Sequence, residues 1–213
     1  MVFVGFLRDI SERKRSEEHQ KLLLAELNHR GKNMLAVVAG IASQTARNSE
    51  SVAAFTKSFV PRIQAFGRAH SLLVEGNWRT TPLHKLIAEI LSPYSLPGNA
   101  QVDVAGPEVD LAPKSALSVS MILHELVTNA AKYGALSVQN GRLAVHWELE
   151  APPSVSVRLH WRESGVGPIS PPIEPGFGST MIDVSARQEL GGQVEVVYGP
   201  DGIEYDLTIP LRR

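Results

Sequence analysis

Between His124 and Lys132 the chain reads HELVTNAAK, and five of those side chains can bind a cation, a phosphate or a proton. Glu125 and Asn129 stand one helical turn apart, two oxygen donors suited to Mg²⁺ and its waters. His124, Thr128 and Lys132 fall beside them within an arc of roughly 140° on a helix. Apolar residues take the other side: Val119, Leu123, Leu126, Val127 and Ala130. The same periodicity describes an ordinary amphipathic helix with a solvated face. The residue types favour chemistry instead. A surface face usually carries several long Lys and Glu side chains, whereas this one offers an acid and an amide and closes on Lys132-Tyr133-Gly134.

A second constellation surrounds His29, in ELNHRGKNML. Leu24, Leu27, Gly31, Met34, Val38, Ile41 and Thr45 alternate steps of three and four, which makes a helical packing seam. His29 lies off that seam. Glu26 and Lys32 stand three residues to either side of it and Asn33 four beyond, so an imidazole shares an outward face with an acid, a cation and an amide. A lone histidine on such a face is ordinarily only a surface residue. Gly31 inside a helix costs about 1 kcal/mol against Ala, and close packing at the seam is the one reason the pattern suggests.

A third set is glycine-rich. Glu163-Ser164-Gly165-Val166-Gly167 follows a strand-like run, and its glycines let backbone approach a ligand closely. Gly176-Phe177-Gly178-Ser179 opens a helix, where free N–H groups and the positive helix end suit phosphates. Eight residues separate Gly167 from Gly176, and Pro168, Pro171, Pro172 and Pro175 make that segment stiff. Gly191-Gly192 reads as a helix stop before a strand.

The elements that must hold these groups follow from pattern. Met1 to Leu7 is apolar and strand-like. Ser11 begins a helical region that leads into the seam, and Asn48 to Ser51 is a polar turn in which Ser51 can cap the next helix. That helix carries a stripe of Val52, Phe55, Phe59, Ile63, Phe66, His70 and Leu73, with Pro61 inside it to kink it and His70 as a packed histidine. Two helices bury little, so a second hairpin or the following domain must cover them. After a linker from Glu75 to Thr81, Pro82 opens a helix to about Leu91. Gln101 to Ala105 is a short strand, Pro113 opens the long helix, and Arg142 to Glu150 with Ser154 to Trp161 forms a hairpin turning at Pro152-Pro153. Gly178 to Leu190 is helical, and Gln193 to Tyr198 with Ile203 to Ile209 forms a second hairpin turning at Pro200-Asp201-Gly202. This order predicts a mixed, mostly antiparallel sheet covered on one face by helices.

Composition limits the alternatives. The 213 residues suffice for one domain and a smaller module, and 43 % hydrophobic with 20 % charged residues is globular. A net charge of −1 implies no nucleic-acid or anionic-membrane partner. The absence of cysteine excludes disulfides, zinc thiolates and a cysteine nucleophile, and permits a reducing cytoplasm. No apolar run approaches the ~20 residues that span a bilayer, and Met1 to Leu7 lacks a signal peptide's basic start.

The segment Met121 to Ser137 resembles the N box of the histidine-kinase ATPase domain, and His124 beside Glu125 resembles its HWE variant. Trp161-Arg162-Glu163 supplies that family's W-x-E, and His29-Arg30-Gly31-Lys32-Asn33 its H-R-x-K-N, in the family's order. The likeness covers the chain from about Ser11. Residues 163–167 resemble the G1 box D-x-G-x-G with Glu in place of Asp, and residues 176–179 resemble the G2 box. The chain departs from the family at Val166, where a second glycine is common.

The resemblance implies an α+β architecture: an N-terminal antiparallel helical hairpin over residues 11–76, then a two-layer α/β sandwich of the Bergerat ATPase type over 77–213. Residues 1–10 would be either the end of an upstream PAS-like sensor domain or a disordered start. It implies an ATP-dependent protein-histidine kinase in the cytoplasm, with His29 as phosphoacceptor and Asn33 placing water or the acceptor. Asn129 would hold Mg²⁺, Glu125 would orient its waters or take a proton, His124 and Lys132 would line the phosphate end, and Tyr133 would be a further cofactor-binding residue. Glu163 would accept from the adenine amino group, with Gly165, Gly167, Gly176, Gly178 and Ser179 cradling the nucleotide. A response-regulator receiver domain and a second copy joined through the hairpin are the implied partners. Two rivals share parts of the pattern. One is a phosphotransfer adaptor with a degenerate ATP domain, disfavoured by intact Glu125, Asn129 and glycine boxes. The other is a serine kinase acting on an anti-sigma partner, disfavoured by His29 in its hairpin.

Overall fold

The computed structural model describes residues 1, 28, 31–32, 34–43, 45–47, 49–75, 80–94, 101–150, 155–171 and 176–211. The chain divides into two compact units, Met1–Arg47 and Asn48–Arg213. In the first, residues 28, 31–32, 34–43 and 45–47 are helical, and we call them α1. Its seam follows the spacing: Ile41 and Thr45 are buried and Met34 and Val38 half-buried, while Leu35, off the seam, is exposed. A Cβ at Gly31 would meet no atom of the described residues within 4 Å. Leu24, Leu27, His29 and Asn33 lie outside the described residues, as do the strand-like start and the Pro152-Pro153 turn.

The second unit opens with α2, Val52–Glu75. Ser51 caps it as its type predicts, its hydroxyl oxygen accepting from the Ala54 N–H at 3.2 Å. The helix runs on through Pro61. Two short strands, β1 (Thr81–Pro82) and β3 (Asp110–Leu111), pair antiparallel. Between them lie α3 (Leu83–Leu91), which follows Pro82 as expected, and β2 (Gln101–Ala105). The long helix α4, Pro113–Tyr133, has proline at its start, where the missing N–H costs nothing.

Strands β4 (Arg142–Glu150), β5 (Ser156–Ser164), β6 (Gln193–Tyr198) and β7 (Gly202–Pro210) complete a five-stranded sheet in the order β2-β4-β5-β7-β6. Only β2 with β4 is parallel; the other neighbours run antiparallel. Register sets Val145 beside Trp161 and Trp161 beside Tyr205. On β5 the period of two turns Val157, Leu159, Trp161 and Glu163 inward. Val157, Leu159 and Trp161 join Leu86, Ile90, Leu123 and Leu126 of α3 and α4 in one core between sheet and helices. The architecture is the α+β sheet-and-helix sandwich that the pattern predicts. Among the described residues no helix is long and apolar enough to cross a membrane.

The sequence pattern does not predict the β1–β3 pair, and two predicted elements differ in extent. Strand β5 reaches Ser164 rather than ending at Trp161, because Glu163 pairs in register with Leu143 and Ile203. The helix expected over 178–190 is α5 (Phe177–Val184) followed by a π-helical turn at Ser185–Glu189. There the Leu190 N–H donates back five residues to the Ser185 carbonyl at 3.1 Å. Gly191, with φ of +69°, ends the element as its type predicts.

Leu126 is fully buried at the centre of this core. Leu126→Ala should lower the unfolding free energy by about 2–5 kcal/mol, through lost burial and the cavity left behind. Urea unfolding checks this, with the midpoint falling and the slope unchanged.

Candidate functional site

Every residue of α4 from Ser118 through Val127 is buried. The polar side that periodicity assigns to this helix is therefore covered, and its charged groups need partners inside the protein. Glu125 is 3 % exposed and Arg62 of α2 is 9 % exposed. The Arg62 Nε–H donates to Oε1 of Glu125 at 2.7 Å and Nη2 donates to Oε2 at 2.9 Å, a two-pronged pair. Nη1 of the same guanidinium donates to the Ser58 carbonyl one turn earlier at 3.1 Å.

Glycine at 178 brings the start of α5 onto the same carboxylate. A Cβ there would lie 3.0 Å from Glu125 Oε2 and 3.4 Å from Asn129 Nδ2. An acid, an amide and a helix N-terminus thus converge from segments some fifty residues apart. Gly176, at the N-cap of α5, offers no side-chain acceptor to the first-turn N–H groups. His124 is buried beside this cluster, and burial holds its pKa down at about 4, with Arg68, Arg62 and Lys132 adding to the effect in that order.

The second pole lies at the C-terminal end of α4, about 13 Å beyond Glu125 along a helix rising 1.5 Å per residue. Glu163 is buried there. Its Oε1 accepts from the Trp161 indole N–H at 2.9 Å and its Oε2 from the Ala135 backbone N–H at 2.8 Å. Burial raises its pKa, while these two hydrogen bonds pull the other way. Each oxygen keeps a lone pair for a further donor. Gly134 makes the approach possible, since a Cβ there would sit 1.8 Å from Oε2. The loop beyond β5 has Gly165 at φ +75° and Gly167 at φ +86°. It is fastened to the β6–β7 turn by Val166 N–H to Asp201 O and Ile169 N–H to Gly199 O, both at 3.2 Å.

The sequence-predicted residues therefore form two groups along one helix, with members contributed by β5 and α5. Glu125, Asn129 and Gly178 meet at one pole and Glu163 marks the other, with Lys132 and Tyr133 exposed between them. Gly176 is exposed and Ser179 half-buried at the entry to α5. His29 and Asn33 lie outside the described residues. His146 and His160 sit on the opposite, outer face of the sheet, bonded to Asp103 and Asp206.

A family description, HWE histidine kinase, matches residues 26–108. A blue-light-activated histidine kinase of Brucella anthropi is 32 % identical over 209 residues, which is 98 % of this chain and 43 % of the relative. The protein of that name in Brucella ovis is 29 % identical over the same span. The chain is similar to HWE histidine kinases over nearly its whole length. It spans less than half the length of these curated relatives. Among solved structures, a blue-light-activated histidine kinase of Erythrobacter litoralis superposes with a TM-score of 0.63 at 21 % identity, over 89 % of this chain and 59 % of the other. The histidine kinase domain of that protein gives 0.57 at 17 % identity, over 83 % and 94 %. Both support the fold.

The arrangement has the chemistry to hold a nucleotide. Among the described residues no three His, Cys, Asp or Glu side chains form a cage for a resident metal. Mg²⁺ that arrives with phosphates and keeps its waters needs only one or two protein oxygens. Asn129, beside an α5 start that offers free N–H groups, could supply one. Sequence reasoning missed Arg62, because it falls just off the apolar stripe of α2 and a cation there reads as solvated. The available signal was the buried acid opposite, which demands a counter-charge.

The neutral, buried His124 makes stability depend on pH. Its folded pKa lies below the unfolded 6.5, so the unfolded state takes up the proton first as pH falls. The contribution is unaffected above 6.5, falls between 6.5 and about 4, and is constant below that. Wild type should lose on the order of 3 kcal/mol more than His124→Gln across that window. Urea unfolding at a series of pH values measures the difference.

Proposed function

We propose that the chain is an ATP-dependent protein-histidine kinase core that phosphorylates His29 and passes the phosphoryl group to an aspartate of a response-regulator receiver domain. The observation that carries this reading is the convergence of Glu125, Asn129 and the glycine at 178, with Glu163 about 13 Å along the same helix. That spacing suits a nucleoside triphosphate lying along α4, base toward Glu163 and phosphates toward α5. Mg²⁺, held by Asn129 and waters, would neutralise phosphate charge.

The remaining roles belong to the chain. The free lone pairs of Glu163 would accept from the adenine amino group, and Lys132 would approach the phosphates from the exposed side. A neutral imidazole nitrogen of His29 would attack the γ-phosphorus in line. An N–P bond forms, the bond from the γ-phosphorus to the bridging oxygen breaks, and ADP leaves. The proton on the other ring nitrogen passes to a base, for which Glu125 is the candidate. In this reading residues 11–76 are the phosphoacceptor hairpin, a route to a homodimer, and 77–213 the nucleotide-binding domain. Residues 1–10 would join it to an upstream sensor.

ATP labelled at the γ-phosphate tests this. Wild type should take up acid-labile label. His29→Ala should take up none while its ATP affinity stays within a few-fold, and label on any other residue refutes the assignment. Asn129→Ala should fold and fail to label. For the base, Glu163→Ala should weaken ATP binding more than tripolyphosphate binding; equal losses would remove Glu163 from the adenine.

A further inference from the structure

Both oxygens of Glu125 are taken by one guanidinium, at 2.7 and 2.9 Å, where both groups are buried. The oxygen held by Nη2 is also the one that faces the start of α5, 3.0 Å from where a Cβ of residue 178 would lie. A carboxylate fixed in this way cannot turn to a metal-bound water or accept a proton from an incoming imidazole without giving up at least one of the two bonds. The guanidinium is in turn tied to its own helix through the Ser58 carbonyl at 3.1 Å, so its position moves with α2. A buried ion pair of this kind is a poor source of stability, since desolvation offsets most of the attraction. It is a good register device, because a small shift of α2 along α4 breaks a two-pronged bond that apolar contacts would tolerate.

We infer that Arg62 is a latch. It holds Glu125 away from the phosphate end, so that seating of Arg62 and productive binding of Mg²⁺ and nucleotide exclude one another and α2 sets the state of the site. This rests on the nucleotide reading above. Linkage then requires reciprocity: whatever displaces α2 tightens nucleotide binding, and nucleotide binding loosens α2 around Arg62.

Two measurements on the 213-residue chain test it, with a non-hydrolysable ATP analogue and Mg²⁺ as probe. Calorimetry should find the analogue bound about five-fold or more tightly by Arg62→Gln than by wild type, with Arg62→Lys between them, since lysine keeps the charge but makes a single bond. Lower or unchanged affinity in folded Arg62→Gln overturns the latch and makes Arg62 a positioning residue that holds Glu125 for use. The second measurement needs no variant. Amide hydrogen exchange in residues 58–66 of wild type should speed up when the analogue binds, and slower or unchanged exchange there overturns the proposal. Failure of wild type and variants alike to bind the analogue overturns the nucleotide reading and the latch with it. Binding with the wrong sign in the variants overturns the latch alone.

Discussion

A helix buried on every side has to satisfy its own polar groups from its neighbours, and α4 is such a helix from Ser118 through Val127. Its apolar residues fill the core against the sheet and α3. Its polar residues are answered one at a time. The Ser118 hydroxyl donates to Glu189 at 2.8 Å, the Ser120 hydroxyl to the Leu117 carbonyl at 2.7 Å, and Glu125 accepts from Arg62. Each unanswered group would cost about 1–3 kcal/mol, so these neighbours are fixed in place by the helix as much as the helix is by them. The polar face of α4 is the inside of the site.

Much of this was legible because strand alternation and proline placement are local signals. Pro113 opens α4 and Pro82 precedes α3, and β2, β4 and β6 span the residues that alternation assigned to them. The acid and amide of α4 were legible as chemistry because their types are wrong for a surface. What the sequence hides is pairing at a distance. Arg62 lies sixty-three residues from Glu125, and nothing local distinguishes it from a solvated arginine. The anchoring of Glu163 by the Ala135 N–H was equally hidden, since backbone donors have no residue type to read. The π-helical turn at Ser185–Glu189 depends on an i−5 bond that periodicity over so few residues cannot reveal.

The two poles of α4 are fixed by different kinds of bond, and this bears on how such a site is regulated. At Glu163 the partners are a backbone N–H, an indole on the same strand and a glycine that leaves no room to move. Those groups are set by the sheet and the end of α4. At Glu125 the partners are a long side chain from α2 and the glycine start of a separate helix, α5. A side-chain bond between two helices can be exchanged for another at little cost to the core. In a nucleotide site the rigid pole suits discrimination of the base, which need not change during turnover. The exchangeable pole suits the phosphates, where the geometry must differ before and after transfer. Under the proposed nucleotide reading, a signal reaching this chain would have α2 as a handle on the Glu125 pole, through a bond that the Glu163 pole lacks.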